Sequence, residues 1–269
     1  MEKLNHQIIG LITDFGARGQ HYVASIKGSI LNINPRANII DIAHSITPFS
    51  IIEAAYIIKS TYSHYPKNTI FIIVVDPGVG SSREIIIIKT KSGYFFIGPN
   101  NGILTNVFDT REISKCINIK NKQYFNSPVS KTFHGRDIMA PIGAYLSKGV
   151  EIDKFGPKFP ITKLIDFPVE LKKISNNEFR CTIQYIDDFG NIITNLKGNS
   201  FIFKEDTEMA IKTGEQKIRG NFVKFFEEVF VNSLLFTVGS SGFLEISKNQ
   251  GNAASDLGLK VGDIITVEL

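Results

Sequence analysis

The chain has 269 residues, 43% of them hydrophobic, which is enough for one large domain or two ordinary ones with substantial cores. Its 30 basic and 26 acidic residues give a net charge of +4 and a nearly balanced surface, without the clustered basic residues of a nucleic-acid-binding face. No apolar stretch has the form of a membrane span or a signal peptide, and Cys116 and Cys181 lack the spacing of metal ligands. We therefore expect a cytoplasmic protein with reduced thiols and with no nucleic-acid or membrane partner.

The first half of the chain alternates between apolar strands and helices. The predicted strands cover residues 8–13, 38–42 and 70–75, and the helices between them cover residues 21–32 and about 51–64. Ser50 and Glu53 form a capping box at the start of the second helix. A hairpin at residues 84–97 and a helix at residues 138–146 follow. Strands and helices in alternation predict a mostly parallel sheet, as in Rossmann-like α/β domains.

The second half changes to short strands separated by frequent turns. Strands are predicted at residues 179–186, 191–196, 208–212, 217–219, 234–238, 243–247 and 263–268, and one short helix is predicted at residues 252–257. This pattern predicts a small antiparallel barrel or sandwich, and we take the barrel as the expected form. Residues 150–168 have no clear period, so we interpret them as a linker. The expected organisation is an N-terminal α/β domain over residues 1–168, which includes that linker, and a C-terminal β-barrel domain over residues 169–269.

A polar turn follows the most apolar of the predicted strands. Residues 76–83 (DPGVGSSR) place Asp76 at the first position and Arg83 at the eighth, with small residues between them. Ligands bind at the carboxyl ends of strands in open α/β sheets, and Asp14 follows the first strand in the same way. Asp-Pro-Gly is also an ordinary turn sequence, so this stretch alone favours a structural role as much as a catalytic one.

Seven motifs in series resolve that ambiguity. They are LITDFG (11–16), DIAHSITPF (41–49), VDPGVG with Arg83 (75–83), GPNNG (98–102), FHGRD (133–137), DDFGN (187–191) and SSGFLEI (240–246). In this order and spacing the sequence resembles the S-adenosylmethionine hydroxide adenosyltransferases, which are hydrolases related to the bacterial fluorinases and chlorinases. The resemblance covers nearly the whole chain.

The resemblance implies that Asp76, Arg83 and His134 direct a water-derived hydroxide to the ribose C5′ of S-adenosylmethionine, with adenosine and L-methionine as products and no cofactor or metal. Sulfur leaves as a neutral thioether and needs no acid, so catalysis has to act on the nucleophile. A positioned base typically contributes about 10² to 10⁴ in rate. Arg83 stays protonated and cannot be that base, so its expected role is to hold Asp76 and favour hydroxide. Either Asp76 or His134 takes the proton.

The resemblance also implies substrate contacts from both predicted domains. The implied substrate-binding residues are Asp14, Phe49, Phe133, Asp187, Phe189, Asn191, Ser240, Glu245 and Ala253. Asp14 would bind the ribose hydroxyls, and Phe49 and Phe133 would pack on the nucleoside. Asn191, Glu245 and the Ala253 region would face adenine, and Asp187 and Ser240 would hold the methionine end. The expected site therefore lies at a domain junction, which in the family joins neighbouring subunits of a homotrimer.

Two departures from family patterns refine this expectation. Halogenating relatives carry Tyr and a halide-binding Ser where this chain has His134 and Gly135, and the long insertion of the halogenases is absent, so halide chemistry is not expected. The first loop has Gly19 and Gln20 where family members often carry an Asp near the methionine ammonium. Affinity for the amino-acid end of the substrate is therefore expected to be lower.

Two other functions compete with hydrolysis. Asp14, Asp76, Asn100 and His134 lie on loops and could ligate divalent cations in a phosphoesterase, although the charge of Arg83 would oppose a metal. A nucleoside-binding protein without turnover is the other alternative. His44 also follows a strand, and we interpret it as structural.

Overall fold

The computed structural model describes residues 8–200 and 207–269, which fall into two compact units within Met1–Phe167 and Pro168–Leu269. The first unit contains six strands, β1 (Ile8–Thr13), β2 (Asn38–Ala43), β3 (Ile70–Val74), β4 (Ile85–Thr90), β5 (Phe95–Pro99) and β6 (Ile113–Asn118). Its α-helices are α1 (Gln20–Ile33), α2 (Ile51–Thr61), α3 (Ile103–Val107) and α4 (Ala140–Ser147). A π-helical turn, Gly135–Met139, leads into α4.

The strands of the first unit form one sheet in the order β2-β1-β3-β5-β4-β6. β1 pairs in parallel with β2 on one side and β3 on the other, whereas β4 is antiparallel to its neighbours. The chain passes from β1 outward to β2 and then returns to the other side of β1 as β3. This reversal makes the carboxyl ends of β1 and β3 the topological switch point, where doubly wound sheets bind ligands.

Alternate residues of the central strands build a core on each face of this sheet. Leu11, Ile72 and Ile97 pack on one face with α1 and α4, and Ile12, Phe71 and Phe96 pack on the other with α2 and α3. All five residues of β3 are buried, which explains its unbroken apolar sequence. A strand held on both faces fixes the turn that follows it.

The second unit contains β7 (Leu171–Lys173), β8 (Glu178–Ile186), β9 (Ile192–Lys197), β10 (Glu208–Thr213), β11 (Gln216–Phe222), β12 (Leu234–Val238), β13 (Phe243–Lys248), α5 (Ala253–Leu257) and β14 (Ile264–Glu268). The strand order is β14-β10-β11-β12-β13-β9-β8-β7, and pairing of β14 with β8 closes seven of these strands into a barrel. All pairs are antiparallel except β11 with β12. The predicted fold class, a parallel-rich α/β sheet followed by a small barrel, is confirmed.

Residues 113–118 and the predicted linker differ from the sequence-based interpretation in ways that affect the first core. Residues 113–118 were not predicted as a strand, because the exposed Ser114 and half-buried Lys115 interrupt the apolar pattern, yet they form the sheet edge β6. Part of the stretch interpreted as a linker belongs to the first core. Phe155 is fully buried, and the Phe159 N–H donates to the Cys116 carbonyl oxygen at 2.8 Å, so this stretch covers β6. Within residues 8–200 and 207–269, no helix combines the length and apolarity needed to cross a membrane.

Candidate active site

A cleft of about 300 Å³ lies at the carboxyl ends of β1 and β3. Every residue around it belongs to the first unit. The lining residues are Asp14, Phe15, Tyr22, Pro48, Phe49, Val74, Asp76, Val79, Thr132, Phe133, His134, Gly135 and Met139. We call this space the first cleft. Its position is the one that the switch point of the sheet predicts for a ligand.

The Asp14 loop forms one wall of the first cleft. Asp14 Oδ2 accepts a hydrogen bond of 2.8 Å from the Phe49 N–H, which joins this loop to the one that follows β2. Phe49 has a φ of 70°, an unusual value for a residue with a side chain, and its ring is 66% exposed. The Gly16 N–H donates to the His44 carbonyl oxygen at 2.6 Å, which is a second tie between the two loops.

Asp76 lines the first cleft and forms an ion pair with Arg83. Their side chains are only 8% and 18% exposed, respectively, so the pair is largely shielded from solvent. The Gly78 N–H donates to Asp76 Oδ1 at 3.1 Å. A Cβ at Gly78 would lie 2.6 Å from one guanidinium nitrogen of Arg83, so the turn needs glycine there for the guanidinium to lie across it. Burial lowers the pKa of Arg83, and arginine remains a cation in proteins even so.

His134 stands at the start of the π-helical turn that leads into α4. The Ala140 N–H donates to the Gly135 carbonyl oxygen, which closes the π-helical turn. Pro141 has no N–H to donate to the Asp137 carbonyl oxygen. That oxygen accepts instead from the Asn126 N–H at 2.9 Å. Ser29 Oγ donates to the Arg136 carbonyl oxygen at 2.9 Å. This packing holds the turn in place. Neither ring nitrogen of His134 has a hydrogen-bond partner among the residues that the structure describes, so the imidazole is free to act on a ligand.

Three aromatic side chains form a second wall of the first cleft. The ring centroids of Phe15 and Tyr22 are 5.3 Å apart, and those of Tyr22 and Phe133 are 5.4 Å apart at nearly a right angle. The Arg136 guanidinium lies 5.2 Å from the Phe133 centroid. This wall offers apolar surface to a flat or uncharged part of a ligand.

A separate cleft of about 600 Å³ lies in the second unit, and we call it the second cleft. Its lining residues are Asp187, Phe189, Asn191, Phe226, Lys248, Gln250 and Gly251. Asp187 Oδ1 accepts from the N–H groups of Phe189 and Asn191 at 3.0 and 2.9 Å, and Oδ2 accepts from the Asn191 amide at 2.8 Å. The turn is therefore organised by its own aspartate, and it presents the Phe189 ring to solvent with 78% exposure.

Three other predicted residues of the second unit have different surroundings. Glu245 accepts a 2.9 Å hydrogen bond from Ser247 Oγ, and burial, together with repulsion from Asp187, raises the pKa of Glu245. Ser240 is exposed in the turn between β12 and β13. Ala253 is fully buried in the barrel core at the start of α5, and Gln250 and Gly251 line the second cleft close by in sequence.

The structure brings the predicted residues together in two groups. Asp14, Phe49, Asp76, Phe133 and His134 surround the first cleft, with Arg83 paired to Asp76. Asp187, Phe189 and Asn191 line the second. Their roles stay predictions.

Sequence reasoning missed Tyr22 in the first cleft and Phe226, Lys248 and Gln250 in the second. The signal for Tyr22 was its place in the first turn of the helix after the Asp14 loop. Phe226 lies between β11 and β12, where sequence pattern carries no comparable signal.

Asn100, a candidate metal ligand in the phosphoesterase alternative, is engaged elsewhere. Its amide donates to the Lys163 carbonyl oxygen at 3.1 Å and accepts from the Ile165 N–H at 2.9 Å. Asp76 is paired with Arg83. Among the described residues no group of three or more His, Cys, Asp and Glu side chains is arranged to hold a metal ion. Asn100 fixes the chain at residues 163–165, and that use is structural.

The model of the SAM hydroxide adenosyltransferase N-terminal domain matches residues 9–156, and that of the C-terminal domain matches residues 181–266. The chain belongs to the SAM hydroxide adenosyltransferase family. The resemblance inferred from the motifs is confirmed.

Individual relatives of this family member match it over almost its whole length. An (R)-S-adenosyl-L-methionine hydrolase of Methanocaldococcus jannaschii is 38% identical, covering 97% of this chain and 95% of its own. A fluorinase of an Actinoplanes species is 23% identical, with 97% of both chains covered. The solved structure of an uncharacterized conserved protein from Thermotoga maritima superposes with a TM-score of 0.91 at 34% identity, covering 97% of this chain and 100% of the other.

Gly135 gives this family member a closely packed cleft wall. A Cβ at that position would lie 2.6 Å from Val74 Cγ1 and 3.1 Å from Val74 Cγ2. Val74 is the last residue of β3 and cannot withdraw without disturbing the buried strand. The structure therefore has no room for a side chain beside His134 unless Val74 changes as well.

Proposed function

We propose that this chain hydrolyses S-adenosyl-L-methionine to adenosine and L-methionine by attack of water at the ribose C5′. The observation that carries the proposal is that Asp76, shielded and paired with Arg83, lines the same cleft as His134, whose ring nitrogens have no hydrogen-bond partner within residues 8–200 and 207–269. Family membership and the names of the hydrolase relatives support the substrate. The chain is an enzyme of this type.

In the proposed mechanism His134 takes the proton from the attacking water. A carboxylate that is paired with a guanidinium is a weak base, because the positive charge stabilises its ionised form. Asp76 is paired in this way and also accepts from the Gly78 N–H, whereas the His134 imidazole has no such engagement in the part of the chain that the structure describes. The geometry thus favours His134 as the base. The charge of Arg83 stabilises the developing hydroxide, and Asp76 keeps Arg83 in place.

The chemical step balances without any further reactant. The bond from the water oxygen to C5′ forms as the bond from C5′ to sulfur breaks, and the electron pair stays on sulfur. The sulfonium becomes the neutral thioether of methionine, and the water proton moves to the imidazole of His134. In-line positioning of water and carbon in the cleft contributes the remaining acceleration.

Substrate binding divides between the two clefts in this proposal. Asp14 accepts hydrogen bonds from the ribose hydroxyls, and Phe49 and Phe133 pack on the nucleoside. In the second cleft, Asn191 faces adenine and Asp187 the methionine end. Phe189 adds apolar contact there, Glu245 and the segment before Ala253 complete the adenine side, and Ser240 completes the methionine side. The lining of the two clefts supports this division.

We also propose that the working enzyme is a homotrimer in which the second cleft of one subunit completes the first cleft of its neighbour. Exposed aromatic side chains close in sequence to Phe226, which lines the second cleft, support this assembly, since contiguous apolar patches in contact with solvent mark interaction surfaces. Phe230 is 89% exposed and Phe225 62%. Light scattering should give a trimer mass, and a fully active monomer would refute the assembly. A cytoplasmic location fits the two buried free cysteines, Cys116 and Cys181.

The function is tested by product analysis after incubation with S-adenosylmethionine. The proposal predicts stoichiometric adenosine and methionine, at a rate unchanged by a chelator. Tight binding in calorimetry without products would indicate a binding protein instead. Loss of activity in chelator would indicate a metal-dependent reaction.

A further inference from the structure

We propose that His44 is a positioning residue, whose imidazole fixes the Asp14 loop so that the Asp14 carboxylate meets the ribose hydroxyls of the substrate. His44 follows β2 and is not among the residues that line the first cleft. It therefore acts through other residues. The inference rests on the role proposed above for Asp14.

Both ring nitrogens of His44 are engaged. Nδ1 lies 3.0 Å from Thr13 Oγ1, and Nε2 lies 2.9 Å from Asp41 Oδ1. The backbone oxygen of His44 accepts from the Gly16 N–H at 2.6 Å. His44 thus contacts the residue before Asp14 through its ring and the residue two places after Asp14 through its backbone. The Asp14 loop is held from both sides.

The hydrogen bonds run in one consistent direction when the imidazole is neutral. Nε2–H donates to the Asp41 carboxylate, which leaves Nδ1 to accept from the Thr13 hydroxyl. Thr13 Oγ1 then remains an acceptor for the Phe15 N–H, at 3.5 Å. Thr13 is fully buried, so its hydroxyl needs such partners. The His44 ring therefore sets the orientation of the Thr13 hydroxyl, to which the Phe15 N–H donates.

The far end of this chain of hydrogen bonds is anchored by charge. Asp41 Oδ2 pairs with Lys27 of α1 at 2.6 Å. Burial acts to raise the pKa of Asp41, but the hydrogen bonds from His44 and Lys27 outweigh it, and the net pKa is lowered. Asp41 is therefore ionised at neutral pH and holds the Nε2–H tautomer of His44. The anchor ties β1, β2 and α1 to the Asp14 loop.

The test separates an effect on Asp14 from a general structural effect by comparing two ligands. Adenosine carries both ribose hydroxyls, and 2′,3′-dideoxyadenosine lacks them. Calorimetry measures both dissociation constants without requiring turnover. Hydrogen bonds to a charged group contribute about 1.5–3 kcal/mol, so His44→Leu should weaken adenosine binding about tenfold or more. Binding of dideoxyadenosine should stay within about twofold of wild type. With S-adenosylmethionine, KM should rise while kcat changes little, because Asp76, Arg83 and His134 are untouched.

Two further variants keep the test decisive if His44→Leu folds poorly. Thr13→Val preserves the shape of a fully buried residue and removes only the hydroxyl, and it should reproduce the selective loss of adenosine affinity. The double variant His44→Leu/Thr13→Val should lose no more adenosine affinity than either single variant, because both substitutions act on one chain of hydrogen bonds. His44→Asn places a polar atom where Nδ1 stands and should restore much of the affinity. His64→Gln, at the turn after α2, is the matched control and should behave as wild type.

Equal weakening of both ligands in His44→Leu and Thr13→Val would overturn the proposal, since a general structural defect acts that way. Wild-type binding of adenosine no tighter than that of dideoxyadenosine would overturn it too. Neither result would touch the hydrolytic function, which product analysis tests separately. Selective loss in both variants, with recovery in His44→Asn, would establish it.

Discussion

The two clefts hold their carboxylates in opposite ways. In the first, Asp76 is shielded and paired with Arg83, while His134, which lines the same cleft, has no hydrogen-bond partner among the described residues. In the second, Asp187 meets three donors of its own turn, and Phe189 beside it faces solvent. A shielded charge pair and an unengaged imidazole on one cleft suit chemistry, and a self-contained turn with an exposed ring suits binding. The difference predicts that substitutions in the first cleft reduce kcat and those in the second raise KM.

The largest effect is expected from the groups that act on water. His134→Ala removes the proposed base, and kcat should fall by about 10² to 10⁴. Adenosine binding should persist, because the proposed contacts to ribose and adenine come from other residues. Single-turnover kinetics and calorimetry on the same preparation measure the two effects. A variant that keeps normal turnover would remove His134 from the mechanism.

A smaller effect is expected from Gly78→Ala. The new methyl group would meet the Arg83 guanidinium, which is the flexible end of a long side chain and can move aside. Stability should therefore change little. The guanidinium would move away from Asp76 and from the attacking water, so kcat should fall about 10- to 100-fold, the effect expected when one electrostatic contact to the transition state is weakened.

Gly28→Ala is the matched control for Gly78→Ala. Gly28 lies in α1 with open space around its Cα, so alanine should raise the melting temperature slightly and leave kcat unchanged. If Gly78→Ala keeps full activity, the contact between the turn and the guanidinium has no catalytic meaning.

In the second cleft, Asp187→Ala should raise KM about tenfold and leave kcat nearly unchanged. The variant loses three hydrogen bonds that shape the turn, and hydrogen bonds to charged groups contribute about 1.5–3 kcal/mol each. Asp188→Ala, the exposed neighbour, provides the control. Steady-state kinetics decides between the two clefts, and a drop in kcat alone would contradict the division of roles.

The smallest effect concerns pH and Glu245. Because the pKa of Glu245 is raised by burial, the folded protein holds this proton more tightly than the unfolded chain does. As pH rises from the pKa of Glu245 in the unfolded chain to its higher pKa in the folded protein, the free energy of unfolding falls relative to that of a protein with a neutral side chain at this position. Above that range the difference stays constant. Glu245→Gln should thus melt slightly higher than wild type at pH 7, with the gain vanishing below the ordinary glutamate range. A gain that grows on acidification would reverse this sign.

Particular residues show which features of the structure could be predicted from the sequence. The buried run of β3 and the Asp76 turn were predicted correctly, because an apolar strand followed by Pro and Gly has few alternatives. The helix after His134 was predicted to start at residue 138, whereas the π-helical turn begins at Gly135. Pro141 leaves the Asp137 carbonyl oxygen without a donor from the helix. The turn therefore depends on hydrogen bonds from Asn126 and Ser29 in distant segments. Phe226 was not predicted as a cleft residue, because its position in the second cleft also depends on tertiary contacts. Local pattern specifies strands and turns, whereas tertiary partners decide which side chains reach a cleft.

The central claim is that a water molecule held in the first cleft attacks the ribose C5′. Incubation of the enzyme with S-adenosylmethionine in ¹⁸O-labelled water, followed by mass spectrometry of the adenosine, tests it most directly. The account predicts one heavy oxygen at the 5′ position. Adenosine without the label, or label found elsewhere in the products, would contradict it.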